Sequence, residues 1–148
     1  MKVKQSEMPE ITLKYHCTGE LKTSVKSSVE AYSLLRGLYD VDTLELIETS
    51  IVIFLNRGNR TIGWMKLSVG GTCKTIIDTK LLFVAALKCN ASSFIISHNH
   101  PSGELTPSEE DIRLTKNIKE GGKLIGIQML DHLIITKQNY YSFADQKQ

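Results

Sequence analysis

Cysteine is scarce in this chain and unpatterned: Cys17, Cys73 and Cys89 lie far apart, odd in number and without a C-x-x-C pair. A disulfide framework and a cysteine-rich zinc ribbon are therefore not expected; three small buried thiols in a reducing, cytoplasmic setting are. Long apolar runs are missing as well. No stretch of about 18 apolar residues occurs, and the opening MKVKQSEMPE has no apolar signal core, so neither a membrane span nor standard secretion is expected. Charge of one sign is not in excess either. The 18 Lys and Arg are dispersed among 16 Asp and Glu for a net charge of +2, which gives sequence-independent nucleic-acid binding no support. Trp64 and the Tyr140-Tyr141 pair have no base-stacking pattern around them and read as core or rim. Repeats, low-complexity tracts and linkers are absent too. What remains is 148 residues, 41% hydrophobic and 23% charged, enough for one compact globular domain with a real core. We expect a loose segment at 1–10 and a single domain over 11–148.

The apolar pattern alternates between the two elementary periods. Residues 11–17 (ITLKYHC) alternate as a strand, with His16 at a surface or edge position; residues 24–39 place Val25, Val29, Tyr32, Leu35 and Leu38 at helical spacing behind Thr23 or Ser24 as cap. After a connection at 40–46, the continuous Ile/Val/Phe run of 48–56 fits a buried central strand opened by Glu48. A turn at 57–59 leads to a hairpin partner over 61–69, and Gly70-Gly71 breaks it. A helix from Asp78 or Thr79 carries Leu82, Phe83, Ala86 and Leu87, and a short strand at 93–97 follows. A helix is expected from Pro107 to Glu120, with Thr106 as N-cap, Glu109 closing the capping box and Gly121-Gly122 as the stop. Apolar segments at 124–130 and 132–136 and a short strand at 140–143 complete the chain. Helices alternating with strands give an α/β domain, a central sheet with helices packed on it.

The chemistry concentrates in SHNHPSGELTPSEEDIRLT, residues 97–115. His98 and His100 are two apart, so at a strand end both imidazoles point to one face. Ser108 and Asp111, three apart on the next helix, share a face that a short loop can fold back over them. Two imidazoles and a carboxylate with one place left open suit a catalytic zinc site, because a metal that lowers the pKa of bound water from about 15.7 towards 7 needs that place for the water. Ser108 can donate to charge developing on an oxyanion, although a serine in a first helical turn also commonly serves local backbone bonding. Asn99 and Ser102 can simply shape the turn, and His132 beside Asp131 reads equally as a structural pair or as support for the site. The run 116–123, with Lys116, Lys119, Glu120 and Lys123, reads as a solvated face. A general base is still needed, and spacing alone leaves Glu30, Glu45, Glu48 and Glu104 open.

The arrangement His-x-His, seven residues, Ser, two residues, Asp resembles the JAMM motif of the JAB/MPN metalloprotease superfamily. The surrounding His98-Asn99-His100-Pro101-Ser102-Gly103, Pro107-Ser108, Asp111, Thr115 and Leu130-Asp131-His132 are similar to the RadC family within it. The resemblance extends more weakly from about Glu48 to Phe143. It implies a cytidine-deaminase-like α/β fold with a central mixed sheet flanked by helices, zinc held by His98, His100 and Asp111, and hydrolysis of a peptide or isopeptide bond. It also implies Glu48 as the base, since RadC-like chains open the corresponding strand with a glutamate. Asn56 stands where the family has aspartate, a change expected to affect a turn and not the chemistry. The chain offers no room for the N-terminal helix-hairpin-helix region of longer RadC proteins, so a DNA-binding role assigned to that region does not carry over. The expected partner is a peptide or protein substrate, and an exposed strand edge can support a homodimer. A binding module, with or without metal, whose fold is kept for partner recognition in DNA maintenance is the rival reading; a metal-dependent nuclease is a third, disfavoured by the charge.

Overall fold

Strand β1, Thr49–Leu55, is buried along almost its whole length, and it organises the sheet. Ile51, Ile53 and Leu55 project to one side and Val52 and Phe54 to the other, each set joining a separate apolar cluster. A continuous apolar run is what a strand covered on both faces requires. The computed structural model describes residues 8–12, 22–70 and 77–147. The expected first strand at 11–17, with His16 and Cys17, and also Cys73 fall wholly or mostly outside the described residues.

Five strands form one mixed sheet in the order β2-β1-β3-β4-β5, where β2 is Thr61–Val69, β3 Ser93–Asn99, β4 Gln128–Ile135 and β5 Tyr140–Ser142. β1 runs antiparallel to β2 and β3, β3 and β4 are parallel, and β5 returns antiparallel to β4. Helix α1, Ser28–Arg36, covers one face through Ala31 and Leu35. Helices α2, Thr79–Lys88, and α3, Glu109–Leu124, cover the other through Leu82, Ala86 and Ile118. The layering is the α/β arrangement expected from the sequence. Among the described residues no helix is long and apolar enough to cross a membrane.

Several boundaries differ from expectation for identifiable reasons. α1 is capped by Ser27, not Thr23 or Ser24. Those two are engaged with the start of β2: the Thr23 backbone N–H donates to Thr61 Oγ1, and Ser24 bridges Arg60. α3 is capped by Ser108, not Thr106, and Asp111 rather than Glu109 closes the capping box. The Thr106 hydroxyl is committed to Glu104 at 2.8 Å, while Ser-x-x-Asp supplies the same reciprocal bonds as Ser-x-x-Glu. The two late apolar segments are a single strand, because the carboxylate of Asp131 is satisfied inside it by the Ser142 hydroxyl at 2.6 Å and the backbone N–H groups of His132 and Ala144. Asn56 does serve a turn, its Oδ1 accepting from the N–H groups of Gly58 and Arg60 at 3.0 Å each.

The Gly121-Gly122 pair does not stop α3, which runs on to Leu124. Gly122 is buried where the helix crosses the chain leading into β4, and a Cβ there would run into the carbonyl oxygen of Ile127. A glycine in a helix costs about 1 kcal/mol relative to alanine, and here close backbone approach offsets that cost. Gly122→Ala is accordingly expected to destabilise by about 1–3 kcal/mol, as overpacking does, read as a lowered denaturant midpoint. A midpoint equal to or above wild type would contradict this account of the helix crossing.

Candidate metal centre

The register of β1 against β3 brings together residues fifty positions apart. Ser50 pairs with His98 in an antiparallel ladder, and continuing that register by two places Glu48 opposite His100. Residues opposite each other in such a ladder project to one face, so Glu48, His98 and His100 converge at the end of β3. One ligand atom from each lies within 4.8 Å of the others, forming a group able to hold a metal ion. Glu48 is only 7% exposed and His98 only 3%, so both are withdrawn from bulk water.

Asp111 enters from the first turn of α3. Its Oδ1 lies 3.4 Å from His98 Nε2, its Oδ2 3.4 Å from His100 Nε2, and the two Nε2 atoms are 3.0 Å apart. The capping box orients this carboxylate: Oδ2 also accepts the Ser108 backbone N–H at 2.9 Å, and the Asp111 N–H donates to Ser108 Oγ at 3.1 Å. Burial on its own would raise the Asp111 pKa, but hydrogen bonding to His100 and His98 holds it well below the usual carboxylate range. Burial likewise opposes charge on His100, yet the hydrogen bond to Asp111 and the Glu104 carbonyl leave its pKa raised.

His100 Nδ1 sits 2.6 Å from the backbone oxygen of Glu104. A carbonyl only accepts, so Nδ1 carries a hydrogen, and a metal that displaces the proton Asp111 favours on Nε2 would meet the Nε2 lone pair. That is the usual way a protein fixes a metal-ligating histidine. Two imidazole nitrogens 3.0 Å apart, faced by buried carboxylates, form an electron-rich pocket that a cation would stabilise. The donor set, two nitrogens and one or two carboxylate oxygens, fits zinc and its neighbours better than calcium or magnesium, which take oxygen ligands.

His98, His100, Asp111 and Glu48 thus lie together. Ser108 lies one turn ahead of Asp111, with its hydroxyl oxygen accepting as the N-cap. Glu30 hydrogen-bonds the Lys26 N–H, Glu45 pairs with Lys137 at 3.3 Å, and the Glu104 carboxylate bonds Thr106, so none of these three alternative bases is turned to the centre. Asn99 does more than shape a turn. It is fully buried on the opposite face from His98, its Nδ2 donating to the backbone oxygens of Leu44 at 2.7 Å and Ile47 at 2.8 Å and its Oδ1 accepting the Thr49 N–H at 2.7 Å. The segment that carries Glu48 is thereby pinned to the strand that carries both histidines. His132 is not paired with Asp131 through its ring, since Asp131 takes only its backbone N–H; the ring lies 2.8 Å from His98 and 2.6 Å from Thr115. The signals for these residues were slight: an asparagine between two histidines, and a histidine inside an apolar strand.

An α/β domain that gathers two histidines and two carboxylates from a strand end, a strand start and a capped helix presents a candidate metal-binding site. A family model described as the RadC-like JAB domain matches residues 25–148, and this chain belongs to that family. It is similar to UPF0758 proteins of Flavobacterium johnsoniae, 48% identical over 95 residues (64% of this chain, 42% of that protein), and of Aquifex aeolicus, 33% identical over 128 residues (86% and 54%). A UPF0758 protein of Clostridium novyi is 46% identical over 94 residues, 64% of this chain and 41% of that protein. The chain spans about half the length of these curated relatives.

Proposed function

We propose that this chain is a zinc-dependent hydrolase of amide bonds in a peptide or protein, with His98, His100 and Asp111 holding the metal, Glu48 as general base and Ser108 steadying the oxyanion. The observation that carries this reading is the pair of imidazole Nε2 atoms 3.0 Å apart, with an Asp111 oxygen 3.4 Å from each and a second carboxylate, Glu48, within reach. One carboxylate holds and the other moves a proton, a division that needs both. Asp111 suits the holding role because the capping box fixes its orientation and it touches both imidazoles. Zinc, when bound, supplies a water acidified towards neutral pH and polarises the scissile carbonyl. Glu48 accepts the proton of the attacking water and passes it to the leaving amine. The Ser108 hydroxyl donates to the developing oxyanion one helical turn from Asp111.

Metal analysis of the purified chain is expected to find close to one equivalent of zinc, or stoichiometric uptake after treatment with a chelator and reconstitution. A chain that neither carries nor takes up zinc would sink the reading.

A further inference from the structure

We infer that His132 and Thr115 act as positioning residues that fix the tautomer of His98 and so aim its Nε2 lone pair at the metal; the inference rests on the metal-binding reading above. Neither residue reaches the centre itself. Both are buried behind it, Thr115 at 3% exposure and His132 at 0%.

The protons along this chain of contacts can be placed one by one. Thr115 Oγ1 lies 2.6 Å from the backbone oxygen of Asp111, and because a carbonyl has no hydrogen to give, the hydroxyl hydrogen must be spent there. His132 Nδ1 lies 2.6 Å from the same Thr115 Oγ1. The hydroxyl can now only accept from it, so Nδ1 carries the hydrogen. A hydrogen bond between two facing ring nitrogens needs one donor and one acceptor, and with His98 Nε2 turned to His100 and Asp111 as a metal ligand, the bare partner is His132 Nε2. That bare nitrogen faces His98 Nδ1 at 2.8 Å, and the contact is a hydrogen bond only if His98 Nδ1–H donates. The hydrogen of His98 is thereby drawn to the side away from the centre, leaving Nε2 for the metal. His100 reaches the same state through the Glu104 carbonyl.

The two ligating histidines are thus oriented by different means: one by a backbone oxygen, the other by a side-chain chain running from β3 through β4 to α3. That chain ends on the backbone of Asp111, itself a candidate ligand, so strand and helix ligands are tied together behind the centre. The His132 ring stacks on Phe143 at a centroid distance of 4.8 Å, which keeps it from rotating. Removing such a partner of a metal-ligating histidine typically weakens metal affinity by about 10–100-fold.

The test uses the whole chain, zinc as the probe and Thr115→Val against Thr115→Ser. Valine keeps the shape and loses the acceptor; serine keeps the hydroxyl. Zinc affinity is expected to fall by about 10–100-fold in Thr115→Val and to stay near wild type in Thr115→Ser. Imidazole nitrogen spectra of the zinc-loaded wild-type chain are expected to show His132 neutral with its hydrogen on Nδ1. A His132 carrying its hydrogen on Nε2, or carrying charge, overturns the inference. So does a Thr115→Val chain that is less stable yet binds zinc as tightly as wild type, since that is the mark of packing alone. Wild type failing to bind zinc would sink the metal reading itself, a separate outcome from equal affinity in wild type and variant.

Discussion

Glu48→Gln is expected to abolish most hydrolysis while leaving zinc in place. Glutamine matches glutamate in shape and keeps hydrogen-bonding capacity, but it cannot take a proton, so the change isolates base chemistry from geometry. General acid-base catalysis contributes about 10²–10⁴-fold, and kcat is expected to drop in that range against a peptide found by library screening, with metal content unchanged. The site holds two carboxylates within reach of the same imidazoles, and the variant tells their roles apart. Loss of zinc in Glu48→Gln together with retention in Asp111→Asn would exchange the assignments, making Glu48 the ligand and Asp111 the proton carrier. Full cleavage in Glu48→Gln with zinc bound would remove Glu48 from the mechanism.

Asn99→Leu is the second substitution expected to have a large effect, and it touches no candidate ligand. The asparagine amide is the only side chain bonded to the backbone on both sides of Glu48 among the described contacts, through Leu44, Ile47 and Thr49. Leucine has similar volume and none of the polar atoms, so two carbonyls and one N–H lose their partner. Each buried group left unsatisfied costs about 1–3 kcal/mol, and a loss on the order of 3 kcal/mol in unfolding free energy is expected. The functional signature is more specific. His98 stays on β3 and His100 just beyond its end, so zinc affinity should change little, whereas the Glu48 segment loses its side-chain tether and catalysis should fall by about 10²-fold, the penalty of a base displaced by around 1 Å. Zinc affinity and kcat falling together would contradict a role confined to Glu48.

How much of this was legible before folding depends on sequence distance. The histidines, Ser108 and Asp111 lie in one stretch, where strand and helix periods determine which side chains share a face, so spacing alone was informative. The β1 run Ile51-Val52-Ile53-Phe54 announced its own burial on two faces. Glu48 needed the resemblance, because nothing local says that a residue fifty positions upstream pairs across from His100; that follows from the β1–β3 register. The Asn99 tether and the His132–Thr115 contacts were illegible for the same reason. Both are hydrogen bonds between elements, and the sequence marks them only by a polar residue in an apolar setting. The caps of α1 and α3 were misplaced by two to four residues, since several Ser, Thr and acidic side chains competed for each position, and a tertiary bond to β2 and a local one to Glu104 decided between them.

Three of the candidate ligands sit on one short segment, from the end of β3 to the first turn of α3, while Glu48 arrives only when β1 and β3 pair. An unfolded chain therefore still carries His98, His100 and Asp111 within one flexible tether, and such a tether retains some affinity for a metal ion. An ion that binds both states stabilises the folded one only by the difference in affinity. Heat resistance gained from metal should thus be smaller than the native-state affinity alone would give, and a partly unfolded chain can recapture its ion before β1 returns.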